Sequence, residues 1–168
     1  MAIGYQAQAI ADPATAVGSN SLASGNDSVA LGAGAQATAN RAVALGAFSV
    51  ADQPNTVSVG SPGGERRITN VSPGIAQTDA VNVSQLTSVS RLAYTGVAMS
   101  MAMAGTYMPT LEAGERVLGI GLGSYQGYSA IAFNFKALNL DGKSAWGFGI
   151  STTGTEWGFN LGASWKWR

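Results

Sequence analysis

Gly4, Gly18, Gly32, Gly46 and Gly60 recur every 14 residues, and this spacing constrains the fold more than any other feature. The residues before them keep the same phase: Ile3, Val17, Leu31, Leu45 and Val59, and one place earlier Ala2, Ala16, Ala30, Ala44 and Ser58. Small residues follow in step at Ala7, Ser21, Ala35 and Ser49, and again at Ala9, Ala23, Ala37 and Ala51. A fixed period means stacked units, each burying an apolar face against the next. This period is too short for a helix pair but holds two short strands and two turns. The alternation at Val29-Ala30-Leu31 reads as strand. Asn20, Gly25-Asn26 and Asn40 suit left-handed corners. The expected shape is a narrow coil with one inward aliphatic per half-turn and no room for large side chains. A low-complexity linker is the competing reading, and the fixed glycine phase opposes it.

Charge and chemistry narrow the field further. Nine basic and nine acidic residues cancel, which leaves no basic surface for nucleic acid. The chain has no Cys and no His, so disulfide scaffolds, Cys or His metal sites and His or Cys nucleophiles are excluded. Charged residues make up 11% of the 168, against about 25% in an ordinary soluble domain. Such a chain is a poor soluble globule, which points to a membrane partner or an unusual architecture. No run reaches the roughly 18 apolar residues of a membrane helix. The nearest stretch, Leu92 to Gly105, is broken by Thr95, Gly96 and Ser100.

The glycine phase stops after Gly60, and three blocks follow: Asn55-Thr56-Val57-Ser58-Val59-Gly60, then Arg66-Arg67-Ile68-Thr69-Asn70-Val71, then Asp79-Ala80-Val81-Asn82-Val83-Ser84-Gln85-Leu86. Pro62-Gly63-Gly64 and Ser72-Pro73-Gly74 are breakers between them. Arg66 and Arg67 either pair with acids of neighbouring chains or form a solvated charge pair. Thr78 or Asp79 is the expected N-cap of a helix from about Val81 to Ala104. Val83, Leu86, Ser90, Ala93, Val97, Ser100 and Ala104 make a heptad-like seam of mostly small residues, which suits helices packed closely in a confined space. About 24 residues at 1.5 Å each cover roughly 36 Å, enough to thread a hydrocarbon layer of roughly 30 Å.

After Gly105 and Pro109 the period becomes two. Leu118, Ile120 and Leu122 alternate with Gly119, Gly121 and Gly123 in a strand from Val117 to Tyr125. From Ala130 to Leu138, Ile131, Phe133 and Phe135 oppose Ala132, Asn134 and Lys136. From Ala145 to Thr153, Trp146, Phe148 and Ile150 oppose Gly147, Gly149 and Ser151. From Glu156 to Trp167, Trp157, Phe159, Leu161, Ala163, Trp165 and Trp167 oppose Gly158, Asn160, Gly162, Ser164 and Lys166. Hairpin turns are expected at Gln126-Gly127, Asp141-Gly142 and Thr153-Gly154. Strands of about ten residues with Trp toward their ends fit a bilayer crossing. The large apolar face is expected to meet lipid; the glycine face, including Gly119, Gly121, Gly123, Gly147, Gly149, Gly158 and Gly162, is expected to line a pore. Four strands cannot close a barrel, and an open edge in lipid is forbidden. Two copies would give eight strands and three would give twelve. An eight-stranded interior is filled by its own side chains, whereas a glycine-lined one must hold something else, and the preceding helix is the obvious filler. A soluble β-meander is the competing reading, but little of the chain remains to cover its apolar face. Up-and-down strands also place the helix end on the side of the C-terminus.

Taken together, the repeats and the three blocks closely resemble the YadA-like trimeric autotransporter adhesins. The neck positions that carry the resemblance are Arg67, Ile68, Thr69, Asn70, Val71, Asp79, Ala80, Val81, Asn82, Gln85 and Leu86. The resemblance implies a mostly β chain with one long helix: a left-handed parallel β-roll head, a neck that exchanges segments between subunits, a short trimeric coiled coil, and four strands per chain in a trimeric twelve-stranded barrel plugged by three helices. It implies head repeats over 1–54, neck and stalk start over 55–86, and a membrane anchor over 87–168. It implies a homotrimer in the bacterial outer membrane with its head on the cell surface, inserted by the outer-membrane assembly machinery and attaching to a host-cell or matrix ligand whose identity the sequence leaves open. No cofactor and no catalytic residue are expected. An anchor or spacer portion without adhesive activity of its own is the alternative. A glycan-active β-coil enzyme is opposed by the scattered Asp12, Asp27 and Asp52, and a plain channel by the plugged lumen. Outer-membrane strands of this kind usually end in an aromatic residue, whereas here Trp167 is penultimate and Arg168 last. The start inside a repeat, without a basic and apolar leader, and the short stalk lead us to expect a portion of a longer protein.

Overall fold

A computed structural model describes residues 1–167; Arg168 lies outside the described residues. The chain forms two compact units that meet in sequence between Asn70 and Val71.

The first unit is a coil of nine short strands: β1 (Ala2–Ile3), β2 (Gln8–Ala9), β3 (Ala14–Val17), β4 (Leu22–Ala23), β5 (Ser28–Leu31), β6 (Gln36–Ala37), β7 (Val43–Leu45), β8 (Val50–Ala51) and β9 (Val57–Ser58). They lie in two parallel sheets, β1-β3-β5-β7-β9 and β2-β4-β6-β8. Every partner is one repeat away, as in Ala16 with Ala30 and Val17 with Leu31. Alternation along a strand sends neighbouring side chains to opposite faces. Ala16, Ala30 and Ala44 therefore point in, where they meet Ala23, Ala37 and Ala51 of the second sheet. Ser21 and Ser49 are buried with them. The interior holds nothing larger than a methyl or hydroxymethyl group. The expected inward aliphatic is corrected here: Ile3, Leu31 and Leu45 face outward, Leu31 with 44% of its surface exposed. The sheets are too close for a branched side chain.

The corners also differ by one residue from expectation. Asn20 is left-handed (φ 56°), but on the opposite side Asp27, Arg41 and Asn55 adopt that conformation (φ 57°, 56° and 58°) rather than Gly25-Asn26 or Asn40. Asn40 instead accepts the Asn26 N–H through Oδ1 at 3.1 Å, so it ties one corner to the next. Where the coil ends, Arg66 folds back over it. Its Nη1 donates to the Val59 carbonyl at 2.6 Å and to Ser49 Oγ at 2.9 Å. Its Nη2 donates to the Ala47 carbonyl at 2.6 Å. Terminal units of repeat arrays need such polar caps.

The second unit holds one helix and one sheet. Helix α1 (Val83–Ala104) begins later than expected, because Asn82 is its N-cap. Asn82 Oδ1 accepts the Gln85 N–H at 3.2 Å, and Gln85 Oε1 accepts the Asn82 N–H at 3.3 Å. This reciprocal box satisfies two orphan donors at once. No helix among the described residues is long and apolar enough to cross a membrane, which leaves crossing by strands open. The sheet is antiparallel, in the order β10 (Arg116–Tyr125), β11 (Tyr128–Leu138), β12 (Ser144–Thr152) and β13 (Trp157–Trp165). At the first hairpin Gln126 and Gly127 both take left-handed backbone (φ 48° and 83°), the primed turn that matches strand twist.

Candidate membrane anchor and neck

Strand register sorts the anchor side chains into rows. On one face Leu118, Phe135, Phe148 and Leu161 lie side by side, and the next row is Ile120, Phe133, Ile150 and Phe159. Leu122, Ile131 and Trp157 continue this face toward one end. Trp146 and Trp165 close it at the other, with Trp167 beyond the strand. Phe135 stacks on Phe148 with centroids 5.4 Å apart and tilts against Trp146 at the same distance. Most of this face is exposed in the single chain, Leu161 by 83%.

The opposite face is flat. Gly121 pairs with Ala132, Ala132 with Ser151, and Ser151 with Gly158, while Gly123 faces Ala130. Gly147 and Gly162 form a further pair toward the strand ends nearer the C-terminus. Helix α1 lies on this face and buries Thr95, Ala98 and Ala102 against it. The approach is backbone to backbone. A methyl group on Gly123 would meet Ala98 O, Ala102 N and the Met101 carbonyl carbon, and one on Gly119 would meet Thr106 and Met108. The sequence seam at Val83, Leu86 and Val97 lies elsewhere on the helix and is exposed. The wall-facing set Thr95, Ala98 and Ala102 was not read from the sequence. Two small Ala residues four apart, one turn beyond Thr95, are the signal that could have found it.

Polar contacts hold both ends of the segment that lies on the sheet, from Arg91 to Thr106. Arg91 Nη1 meets Glu156 Oε1 at 3.0 Å, which ties the helix to the β12–β13 turn. With side chains 41% and 31% exposed, the pair contributes about 1 kcal/mol or less. Tyr94 packs edge-on to Tyr125 (5.6 Å) and against Tyr128 (6.2 Å). At the other end Asn134, 8% exposed, donates from Nδ2 to Thr106 Oγ1 at 2.7 Å and to the Met103 carbonyl at 3.3 Å.

The neck residues are placed separately in the two units. Arg67, Ile68, Thr69 and Asn70 close the first, all exposed, with Asn70 left-handed at φ 61°. In the second, Val71 accepts Asn82 Nδ2 through its carbonyl at 3.1 Å. Gln85 also grips Gly74, accepting its N–H at 2.9 Å and donating to its carbonyl at 3.0 Å. Ala80, Val81 and Leu86 are exposed in the single chain. Asp79 is not a helix cap; its Oδ2 accepts the N–H groups of Ile75 and Ala76, each at 2.9 Å. Those two donors, Ile75 first, hold its carboxyl below the ordinary range. A lowered folded value means that the stabilisation is present above the ordinary carboxylate value of about 4 and is lost as pH falls through the lower folded value. Protection of the 75–76 amides, measured by hydrogen exchange with mass spectrometry, is therefore expected to be flat at neutral pH and to fall in acid. Asp79→Asn should abolish that acid-dependent step; a step that survives in the variant would contradict the assignment.

No group of His, Cys, Asp and Glu that could hold a metal ion occurs among the described residues. Residues 1–21, 10–35, 23–49 and 37–61 match the YadA head domain repeat. Residues 67–99 match the coiled stalk of trimeric autotransporter adhesin, and residues 109–167 match the YadA-like membrane anchor domain. Autotransporter adhesin NhhA of Neisseria meningitidis serogroup B is 32% identical over 87 residues, covering 45% of this chain and 15% of the relative. The crystal structure of the collagen-binding domain of Yersinia adhesin YadA matches with 39% identity and a TM-score of 0.50 over 54% of this chain and 51% of that one.

Proposed function

We propose a mechanical function for this chain, which belongs to the YadA-like trimeric autotransporter adhesins. It is an adhesive and structural protein rather than an enzyme, anchored in the outer membrane with its head exposed at the surface. In our reading three chains close a twelve-stranded barrel, the passenger leaves through it, and three α1 helices then plug it. The barrel so formed tethers what it exported. The outer-membrane assembly machinery inserts it, residues 1–54 are the head, 55–86 the neck and stalk start, and 87–168 the anchor. Leu118, Ile120, Leu122, Phe133, Phe148, Phe159 and Trp165 face lipid, and the glycine face lines the pore.

One observation carries this reading. The sheet has two open edges, β10 and β13, and α1 packs mainly on β10 and β11. Toward its C-terminal end the glycine face of β13 is left bare: a side chain on Gly162 would meet nothing within 4 Å, whereas one on Gly158 would meet Ser151, Met99 and Met103. In lipid each unpaired edge group costs several kcal/mol. Further copies supply both an edge partner and a helix for β13. On the coil, the outward ladder Ile3, Val17, Leu31 and Leu45 offers a matching apolar strip for copies of the head.

The head is proposed to attach to host cells, matrix or other surfaces. Collagen is the ligand that the Yersinia structure names, and its similarity to this chain makes collagen the first matrix protein to try. The test uses detergent-extracted full chain on a gel with and without heating, with mass by light scattering. A heat-sensitive species at three times the 17.0 kDa chain mass is expected. A stable monomer would end the barrel, the export route and the plug together. Bacteria displaying the chain are then expected to hold to immobilised collagen over albumin; equal retention would leave anchoring as the function without adhesion to collagen.

A further inference from the structure

Asn134 and Asn160 interrupt a face otherwise built mainly of glycine and small residues. Register puts them in one row, Gly119–Asn134–Gly149–Asn160. Gly149 sits between the two carboxamides, and a side chain there would run into Oδ1 of both. The absence of a side chain lets them converge. Above them ends α1. Its last turn carries no basic residue, and Gly105 closes it at φ −75° rather than in a left-handed cap. The Gly105 N–H serves the Met101 carbonyl at 2.8 Å, but the Thr106 N–H reaches the Met103 carbonyl only at 3.5 Å, which leaves that carbonyl room for a partner from outside the helix. The wall supplies one: Asn134 Nδ2 donates to the Met103 carbonyl (3.3 Å) and to Thr106 Oγ1 (2.7 Å). Asn160 Nδ2 reaches Met103 Sδ at 3.2 Å. Between this end and the half-exposed Arg91–Glu156 pair with its neighbouring tyrosines, the helix rests on flat glycine and alanine, which offer close contact but no fixed height along the pore.

We infer that the Asn134–Asn160 row is a stop that fixes the level at which the exported helix comes to rest. Dispersion against glycine tolerates sliding by a turn, whereas the directed bonds to Met103 and Thr106 exist at one height only. The glycine face is the track and the carboxamides are the detent. This rests on the plugged-pore reading.

The test measures helix height in the assembled full chain. The natural sequence has no Cys, so Ser88→Cys on α1 and Thr155→Cys on the β12–β13 turn can carry paired spin labels. Both positions are exposed. With the labelled chain diluted into unlabelled chain, so that a trimer holds one labelled copy, the parent should give one narrow distance. Asn134→Ala should raise the ratio of displaced to docked helix roughly tenfold, the loss of about one hydrogen bond, with the new distance shifted by about 5 Å, one turn. Thr106→Val keeps the shape of the side chain and should shift the ratio in the same direction. The double variant should be no worse than Asn134→Ala alone, because that change already removes the bond Thr106 accepts. If Asn134→Ala does not assemble, Thr106→Val decides. A single unshifted distance in the assembled variants, or fully additive effects, would overturn the stop while leaving the pore intact. A parent chain that forms no trimer would overturn both.

Discussion

Gly121→Leu is expected to abolish the heat-sensitive trimer and surface display. A side chain at Gly121 meets the Ala102 carbonyl group and lies 2.6 Å from Thr106 Oγ1. The main obstacle is helix backbone, which cannot rotate aside as a flexible side chain can. Overpacking a well-filled site costs about 1–3 kcal/mol, and a threefold assembly incurs it three times. Moving α1 outward relieves the clash only by giving up the burial of Ala98 and Ala102 and the bonds of Asn134. The variant is therefore expected to stall with the passenger inside or to fail in closing. Gel shift on heating and flow cytometry of intact cells read the two outcomes. Gly121→Ala should give an intermediate phenotype, since a single methyl already reaches the Ala102 carbonyl. Wild-type levels of both trimer and display in the leucine variant would remove the helix from the pore.

Gly32→Val is expected to unwind the head while leaving the anchor trimer in place. Gly32 has φ 138°, and its added Cβ would lie 2.5 Å from the Gly46 carbonyl carbon and 2.6 Å from Ala47 N. All the blocking atoms are backbone of the next coil. Backbone strain of about 1–3 kcal/mol adds to an overpacking cost of similar size. Stacked repeats pass such damage to their neighbours, because each coil is stabilised chiefly by the interfaces on either side. Limited proteolysis should release fragments from residues 1–54, and the head should lose its thermal transition in circular dichroism. Protease resistance equal to wild type would mean that the coils are not stacked at this column. The same substitution at Gly63, which has nothing within 4 Å, serves as a control for valine at a positive-φ glycine without a stacking clash.

The elements that follow from a period were legible in the sequence. The glycine phase marks the coil because backbone from consecutive repeats meets at one column, and only glycine fits there. Strict alternation marks the four anchor strands, whose ends lie within about two residues of expectation. What escaped depends on distances between elements. A repeat reports that some residues point inward but not how far apart the two sheets stand, so alanine and serine fill the coil where aliphatics were expected. The corner falls on Asp27 and Arg41 because hydrogen bonding to the adjacent repeat sets it, as Asn40 does for Asn26. Asn82 takes the cap from Thr78 and Asp79 because Gln85 stands three residues on, while Asp79 is engaged with its own turn. In the sequence Arg66 is a candidate ion-pair partner, whereas its guanidinium sits on carbonyl and hydroxyl oxygens of its own chain. Asn134 and Asn160 were visible at inward parity, but only the end of α1 gives them something to bind.

Partners in the coil stand one full repeat apart throughout, from Ala2 with Ala16 to Ala44 with Ser58. Head length is thereby quantised. Gain or loss of one whole repeat changes the reach by about 4.8 Å, the spacing of paired strands, and leaves every inward alanine facing inward. A change by any other number rotates the pattern and empties the interior. Unequal recombination between the repeats of such a gene would thus produce shorter or taller heads that still fold, so that the distance from the cell at which the tip operates can evolve without inventing a new structure.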